Sequence, residues 1–318
     1  MIDRCERLKY GLGGMKSDPK VAVVVISYDT RDLLLECLTS IFDSATGDDI
    51  EVVVVDNASR DGSYEAVCEA YPQVRAIRNE TNRGFGAACN QAITSTRAPL
   101  VLLLNSDAQI TPEGFRALQE CMRANDRCGA AGCRIFNAEG AIVGNAGSFL
   151  TALNQALEQA GITGSMTSRR LRRTYVPAYG ENLLDSTVDW IDGACMMLRR
   201  VALEEAGLFD ERFFMYSEDE DLCFRLRKLG WMICHSGRGS AIHRGGASTS
   251  QNRLEMLRNF YSSQMLFLLK HRGRVSVALY TAAMKTVLFF KSISAMPRQE
   301  ELAERLVALR RARAIEQR

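Results

Sequence analysis

The sequence predicts an α/β fold: a doubly wound, mostly parallel sheet flanked by helices, with a helical extension at the C-terminal end. Uniformly apolar, β-branched runs alternate with helical periods through the first hundred residues, as in strands that a parallel sheet buries on both faces. The chain has 318 residues, 47% of them hydrophobic, which is enough for one large domain and an appendage. Polar clusters follow several of the apolar runs, where such sheets bind ligands.

The individual strands and helices follow from these patterns. Val21 to Ser27 is an uninterrupted apolar run, and the spacing of Leu34, Leu38 and Ile41 predicts a helix from Thr30 to Phe42. The later elements are a strand from Glu51 to Val55, a helix from Ser63 to Ala70, a strand from Val74 to Ile77, a helix from Phe85 to Thr94 and a strand from Leu100 to Leu104.

We divide the chain into an N-terminal extension over residues 1–18, a main domain over 19–250 and a C-terminal helical region over 251–318. Helical spacing runs from Asn252 to Arg318. Within it, Val275 to Phe290 is apolar and bordered by basic residues, yet too short and interrupted to cross a bilayer. It suits an anionic membrane surface, and it suits packing against the main domain or a second subunit in a homo-oligomer equally well.

The segment from Gly144 to Asp185 has no clear period and contains four clustered arginines between 169 and 173. We expect a mobile basic loop over the ligand cleft. It is either simply solvated or in contact with a diphosphate or a phospholipid carrier.

Charge and cysteine content exclude several classes of function. The formal net charge is only +2, from 40 basic and 38 acidic residues, so nucleic acid is not an expected partner. The ten cysteines form no CxxC pair, and this pattern indicates buried free thiols in a protein of the reducing cytosol. Residues 1–17 carry four basic residues and no continuous apolar core, unlike a secretory signal, so we expect a cytoplasmic protein.

Four consecutive carboxylates, Glu218 to Asp221, follow the apolar and aromatic stretch that begins at Phe213. Acids packed so closely beside apolar residues lose hydration and repel one another, which is typical of a proton-transfer site. The sequence therefore predicts a catalytic base at a helix start. A solvated acidic first turn that complements the helix dipole is the alternative. Asp221 and Arg225, four residues apart, are expected to form an intrahelical ion pair.

Three polar clusters come directly after apolar strands: Ser27-Tyr28-Asp29, Asp56-Asn57 and Asn105-Ser106-Asp107. Each alone is compatible with a helix cap or a turn. Because the carboxyl ends of parallel strands meet at one edge, we expect the three clusters to converge on one site.

Three common nucleotide-binding signatures are missing. The first strand is not followed by GxGxxG, and the Gly84-Phe85-Gly86 turn comes after the third strand instead. There is no GxxxxGK[ST] loop either, and the Gly-rich, Lys-bearing start of a nucleotidyltransferase is also absent. Hydride transfer, nucleoside triphosphate hydrolysis and sugar-nucleotide synthesis are therefore disfavoured.

Eight ordered motifs between Lys20 and Ser248 resemble those of family-2 glycosyltransferases, most closely the rhamnosyltransferase-like branch. The motifs are Val25-Ile26-Ser27-Tyr28, the segment from Val53 to Ser63, the segment from Asn79 to Gly86, Leu103 to Asp107, Asp192 to Arg200, Gly207 to Phe214, Glu218-Asp219, and Ile242 to Gly246.

The resemblance implies a GT-A fold and an inverting transfer of a sugar, L-rhamnose by analogy, from a nucleoside-diphosphate donor to an acceptor hydroxyl. The implied donor is deoxythymidine-diphosphate rhamnose or a UDP-sugar. The implied acceptor is a glycan or lipid-linked glycan of surface polysaccharide or cell-wall synthesis. The implied cofactor is Mg²⁺ or Mn²⁺, and the implied location is the cytoplasm, peripheral on the cytoplasmic face of the membrane.

The same resemblance implies roles for individual residues. Asp219 is the expected base with Glu218 beside it, and Asp107 and His243 are the expected metal ligands; a structural histidine is the alternative for His243. The acceptor is expected at Trp190, Asp192 and Gly193, with Trp190 alternatively in the core. The nucleotide-sugar residues are Ser27, Tyr28, Asp29, Asp56, Asn57, Asn82, Arg83, Gly84, Asn90, Asn105, Ser106 and Asp107, with Gly86 nearby.

The chain departs from the family pattern at Asn105, which replaces the first acid of the usual Asp-x-Asp. An amide can orient a ribose or a metal-bound water but brings no charge, which weakens the expected metal affinity. A sugar-nucleotide-binding scaffold that has lost catalysis is therefore a second hypothesis.

Overall fold

A sheet of ten strands organises the molecule. The computed structural model describes residues 20–45, 49–161, 186–245, 253–294, 304–309 and 312. Its strands are β1 (Val21–Ser27), β2 (Ile50–Asp56), β3 (Arg75–Arg78), β4 (Leu100–Asn105), β5 (Ala108–Ile110), β6 (Cys128–Phe136), β7 (Ile142–Val143), β8 (Ala146–Gly147), β9 (Ser186–Thr187), β10 (Trp190–Ile191), β11 (Cys195–Arg199) and β12 (Met232–His243). Its helices are α1 (Arg31–Ser44), α2 (Ser63–Ala70), α3 (Phe85–Thr94), α4 (Pro112–Ala124), α5 (Ala152–Gln159), α6 (Arg200–Ala206), α7 (Glu218–Lys228), α8 (Arg253–Arg272) and α9 (Arg274–Ser294).

The main sheet has the strand order β3-β2-β1-β4-β11-β6-β12-β5, with β7 and β9 attached to it, while β8 and β10 pair separately. β3, β2, β1 and β4 run parallel. β11 runs antiparallel between β4 and β6, and β12 is parallel to β6. The predicted doubly wound α/β fold is confirmed.

The sheet is buried on both faces, which explains why its strands show no polar alternation. In β1, Val23 and Val25 belong to the core between the sheet and helices α1 and α4. Val24 points the other way, into the core that includes residues of α3, α6 and α7. All three are at most 1% exposed.

The predicted boundaries of β1, α2 and α3 are confirmed, and α1 extends two residues beyond the predicted helix. The prediction of irregular structure from Gly144 to Asp185 is wrong in its first part, because β8 and α5 lie there. Thr151 and Asn154 form a reciprocal capping box at the start of α5. The four clustered arginines lie outside the described residues.

The C-terminal helices α8 and α9 pack on the main domain through a third apolar core. Tyr261, Phe267 and Tyr280 are buried in it together with Leu150 and Phe213 of the main domain. Packing against the main domain, one of the alternatives left open by the sequence, is therefore present for these helices. No helix in the described ranges combines the length and apolarity needed to span a bilayer.

Candidate active site

The strand ends bring the predicted polar clusters together. In the parallel register Ser27 lies opposite Asp56, and Ile26 lies opposite Asn105. A cavity of about 430 Å³ opens beyond these ends. The predicted site residues that line it are Tyr28, Asn57, Asn82, Asn105, Ser106, Asp107, Trp190, Asp192, Gly193, Glu218, Asp219 and His243.

Asp107 and His243 lie side by side on this cavity. Their Oδ1 and Nε2 atoms are 3.0 Å apart, and the Asn105 Nδ2 atom is 3.4 Å from the same ring nitrogen. Burial opposes the charged form of His243, but the hydrogen bond to Asp107 and the charges of Asp107 and Asp192 raise its pKa. A carboxylate and an imidazole suit a divalent cation that takes its other ligands from phosphate oxygens and water.

The described residues contain no cluster of three or more His, Cys, Asp or Glu side chains that would hold a metal without help from a ligand. Asp107 and His243 offer two ligands, so a cation held there would take its remaining ligands from phosphate oxygens and water.

Asp219 faces the cavity from the first turn of α7. Its Oδ2 accepts a hydrogen bond of 3.0 Å from the backbone N–H of Gly193, and its Oδ1 accepts one of 2.7 Å from that of Glu220. Burial and the charge of Asp192 outweigh these bonds and raise the pKa of Asp219 to about 7. A carboxyl group with this pKa is suited to take up a proton near neutrality.

Glu218 and Glu220 flank Asp219 and are more buried, at 6% and 8% exposure. Burial, with the nearby charges of Asp219 and Asp192, raises the pKa of Glu218 well above its usual value, and its buried Oε2 has no hydrogen-bond partner among the described residues. Burial raises the pKa of Glu220 to about 8, and its Oε1 accepts the Leu150 N–H. Burial therefore favours the neutral form of both side chains.

The backbone before α7 is strained. Tyr216 and Ser217 have φ values of +72° and +60°, the left-handed region that non-glycine residues seldom occupy. Both line the cavity. Strain of this kind persists where the surrounding structure fixes the chain, commonly at functional sites.

Asn57 organises the loop beside the strand ends. Its Oδ1 accepts from Asn79 Nδ2 at 3.0 Å and from the Arg83 N–H at 3.1 Å. Its Nδ2 donates to Asn82 Oδ1 at 2.9 Å, and the same Asn82 oxygen accepts from the Gly84 N–H. These side-chain bonds fix the loop in one conformation.

Gly84 sits where two backbones meet. Its φ is +83°, and a Cβ there would lie 2.4 Å from the carbonyl oxygen of Phe214. The next N–H, of Phe85, donates to that same oxygen at 2.9 Å. Only glycine allows this approach, which joins the start of α3 to the segment that leads into α7.

Asp56 is buried at the end of β2, with 1% exposure. Neither carboxylate oxygen has a hydrogen bond of normal geometry among the described residues. Burial raises the pKa of Asp56, although contacts with Ser59 and the charge of Arg78 partly offset this. An orphaned carboxyl group at a strand end is suited to a ligand N–H.

Six of the predicted nucleotide-site residues do not line the cavity: Ser27, Asp29, Asp56, Arg83, Gly84 and Asn90. The amide of Asn90 exchanges hydrogen bonds of 2.9 Å with the backbone of Phe209, which ties α3 to the segment before α7. Asp29 accepts from the Arg60 N–H at 2.7 Å. The Arg83 side chain is 45% exposed and lies 4.0 Å from Glu211.

The expected acceptor residues take different positions around the cavity. Trp190 lines it and donates its indole N–H to the Ser148 carbonyl at 3.1 Å. Asp192 accepts from the Ala194 N–H at 2.8 Å, and burial raises its pKa. Gly193 holds Asp219 through its N–H, so its backbone positions the expected base.

Sequence reasoning missed the wall that α5 and α8 add to the cavity. The residues of this wall are Leu150, Gln155, Glu158, Phe260 and Gln264. Tyr216 packs edge-on against Phe260, with ring centroids 5.7 Å apart. The predicted Asp221–Arg225 ion pair is confirmed at 2.8 Å.

The chain matches a known protein family over more than half of its length. Residues 22–207 match the model of Glycosyl transferase family 2. The chain is 29% identical over 266 residues to an N-acetylglucosaminyl-diphospho-decaprenol L-rhamnosyltransferase of Mycobacterium tuberculosis, covering 79% of this chain and 85% of that protein. It is 25% identical to the low-salt glycan biosynthesis hexosyltransferase Agl10 of Haloferax volcanii, covering 78% of this chain and 76% of that protein.

The fold is similar to that of a mannosyltransferase from Pyrobaculum calidifontis, solved with GDP-Man and Mn²⁺. The TM-score is 0.56 at 16% identity, covering 98% of this chain and 92% of that one. The GT-A architecture expected from the sequence is confirmed by this likeness.

Proposed function

We propose, from the premise that this chain belongs to glycosyl transferase family 2, that it moves a sugar from a nucleoside diphosphate to an acceptor hydroxyl with inversion at the anomeric carbon. One observation carries the proposal. Asp107 and His243, which suit a diphosphate-bound cation, and Asp219, which suits a base, line the same cavity. A single displacement needs the cation site at the diphosphate of the donor and the base at the acceptor hydroxyl, within one cavity.

Asp219 takes the proton of the acceptor hydroxyl as that oxygen bonds to the anomeric carbon and the bond to the diphosphate breaks. Its two backbone hydrogen bonds, from Gly193 and Glu220, fix the direction of the carboxylate. Burial favours the neutral form of Glu218 beside it, which limits the negative charge that the acceptor meets.

Asp107 and His243 would hold Mg²⁺ or Mn²⁺, which when bound neutralises charge on the leaving diphosphate. Asn105 stands beside His243 and contributes a neutral amide to this end of the cavity. We place the nucleoside near Tyr28 and Asn57, which line the cavity. Asp56, the expected partner of the imide N–H of uracil or thymine, is buried next to them at the end of β2, and this contact requires the residues in front of it to move.

The donor and acceptor follow by analogy with the mycobacterial relative, whose name describes transfer of L-rhamnose to N-acetylglucosaminyl-diphospho-decaprenol. We propose an L-rhamnosyl donor carried on deoxythymidine diphosphate and a lipid-linked glycan acceptor in surface polysaccharide or cell-wall synthesis. UDP-hexoses are the alternative donors. Such an acceptor places the enzyme at the cytoplasmic face of a membrane.

A panel of nucleotide sugars, scored by release of nucleoside diphosphate with and without Mn²⁺, tests the proposal. Asp219→Asn is expected to lower transfer by about 10²- to 10⁴-fold while nucleotide affinity is retained. The exposed Asp126→Asn is the matched control and should leave transfer unchanged. Unchanged transfer in Asp219→Asn would reject the base. Nucleotide binding without turnover in the wild type would favour the scaffold hypothesis.

A further inference from the structure

The wall formed by α5 and α8, defined above by Leu150, Gln155, Glu158, Phe260 and Gln264, is attached to the carboxylate side of the cavity. Glu220 accepts the Leu150 N–H. Ser263 of α8 donates its hydroxyl to the Met215 carbonyl at 2.8 Å, just before the strained turn into α7. The nucleotide side is built separately from the ends of β1 and β2. The wall is therefore fixed beside Asp219, where an acceptor must approach.

A directional chain of hydrogen bonds crosses the wall. The Tyr280 hydroxyl donates to Gln264 Oε1, and Gln264 Nε2 donates to Gln155 Oε1 at 3.3 Å. Burial raises the pKa of Tyr280 well above its usual value, so its hydroxyl stays a donor. Gln155 and Gln264 are only 2% and 6% exposed, yet both line the cavity.

The chain of bonds uses the Gln155 oxygen and leaves its Nε2 group without a protein acceptor in the described part of the structure. The amide is thereby oriented in advance as a hydrogen-bond donor at the cavity wall. A donor that faces the cavity in this way suits a carbonyl or hydroxyl oxygen of a ligand, because the amide is already held in the orientation that the new hydrogen bond needs.

The charges around the wall select the kind of ligand. Glu158, Glu218, Asp219 and Glu220 line this part of the cavity or border it, whereas His243 is the only histidine, lysine or arginine among the described lining residues and lies beside Asp107. A phosphate or carboxylate group here would lose hydration without a cationic partner among the described lining residues, and it would repel Asp219 whenever that carboxylate is ionised. Trp190, Tyr216 and Phe260 add aromatic faces, which suit the apolar face of a sugar ring.

Given the sugar transfer proposed above, we infer that the α5–α8 wall is the acceptor subsite. Gln155 donates a hydrogen bond to an oxygen of the acceptor, and the subsite binds an uncharged sugar unit. Any phosphate that links this sugar to a carrier must then lie outside the wall.

Direct binding tests the inference without turnover. Saturation-transfer NMR, with deoxythymidine diphosphate and Mn²⁺ present, compares methyl N-acetylglucosaminide and methyl glucoside with methyl glucuronide. The uncharged glycosides are expected to bind and the glucuronide is not. Gln155→Glu keeps the oxygen that Gln264 contacts but replaces the donor with a carboxylate, so it is expected to abolish the glycoside signal. Binding of the glucuronide as strong as that of the glucoside would overturn the inference.

Gln159→Ala is the matched control, because Gln159 is on the same helix but contacts Arg305 and does not line the cavity. Phe260→Leu is a second variant that leaves the bond chain intact. In transfer assays Gln155→Glu and Phe260→Leu should each lower kcat/KM for the acceptor by about tenfold without changing nucleotide affinity.

The two proposals fail in different ways. Full transfer with an unchanged acceptor KM in Gln155→Glu would remove the subsite and leave the sugar transfer standing. An equal loss of nucleotide affinity would assign the wall to the donor and overturn the inference. Glycoside binding that depends on Gln155, in an enzyme that transfers no sugar from any donor, would support the subsite and reject the reaction.

Discussion

Glu218 and Asp219 are neighbours in the chain but have different surroundings. Asp219 accepts two backbone N–H groups, which favour its charged form, whereas Glu218 keeps a buried oxygen without a partner among the described residues. Burial raises both pKa values, that of Asp219 to about 7 and that of Glu218 well above its usual value. The backbone N–H groups favour the ionised form of Asp219, and burial without a partner favours the neutral form of Glu218, which makes Asp219 the better candidate for the base.

The pKa of Asp219 predicts the pH dependence of transfer. The base must be deprotonated, so kcat/KM should rise with pH through an apparent pKa of about 7. Asp192→Asn removes a negative charge that contributes to the raised value, so the acid limb should move to lower pH. The measurement is kcat/KM against pH for both proteins. An acid limb that stays in place in Asp192→Asn would show that the limb does not report Asp219.

Gly84 provides a second test at a single residue. Gly84→Ala forces a side chain onto the Phe214 carbonyl in a backbone conformation that favours glycine, and should cost about 3 kcal/mol or more in the free energy of unfolding. Gly62→Ala is the control, since its φ is +82° but nothing lies within 4 Å of the added carbon. It should cost about 1 kcal/mol. Urea denaturation measures both, and equal losses would mean that the Phe214 contact is unimportant.

Among the elements, α7 connects the site to the C-terminal helices. Asp221, two residues beyond Asp219, is fully buried and accepts from Arg225, Lys270 and His271 at 2.7–2.8 Å. Burial alone would raise the pKa of Asp221, but the hydrogen bonds from His271 and Lys270 and the charge of Arg225 hold it below its usual value. The ionised Asp221 therefore stabilises the folded protein fully at pH values above its pKa in the unfolded chain. This stabilisation is lost as the pH falls through its lower pKa in the folded protein.

Asp221→Asn removes the buried charge that α8 depends on and should lower the free energy of unfolding by about 3 kcal/mol. The exposed Glu113, paired with Arg116 at 2.9 Å, is the matched control. Glu113→Gln should change stability by less than about 0.5 kcal/mol. Urea denaturation at neutral pH gives both values. A loss of the same size in both variants would show that the buried network adds nothing beyond a surface pair.

At the scale of the whole molecule, the sequence was sufficient to predict the strands and helices in segments where a single pattern of apolar residues dominates. The buried runs of β1 and β4 and the turn before α3 predicted the sheet edge on which Tyr28, Asn57 and Asp107 meet. It was insufficient for α5, which has only eight residues and whose cap uses Asn154 instead of an acid. The sequence also did not predict the α5–α8 wall. Gln155 and Gln264 are 109 residues apart, and no local sequence pattern indicates that they are in contact.

The outer face of α9 carries exposed apolar side chains that the proposed site does not use. Val277, Tyr280, Met284 and Leu288 face the third core, whereas Val275, Leu279, Phe289 and Phe290 are 59–73% exposed. Arg274 and Lys285 of this helix, and Arg272 at the end of α8, are also exposed. Apolar side chains beside basic ones are the combination that an anionic bilayer surface attracts. We therefore propose that this face rests on the membrane that holds the lipid-linked acceptor.

The full chain with Leu279, Phe289 and Phe290 all replaced by serine should co-sediment at least about tenfold more weakly with phosphatidylglycerol-rich vesicles, because each loses apolar contact with the bilayer. Wild-type binding should weaken with added salt and be weaker on phosphatidylcholine. Val201→Ser, at a residue 55% exposed on α6, is the control and should bind as the wild type does. Equal partition of the triple variant, or its conversion from dimer to monomer in sedimentation equilibrium, would instead assign this face to solvent or to a second copy of the chain.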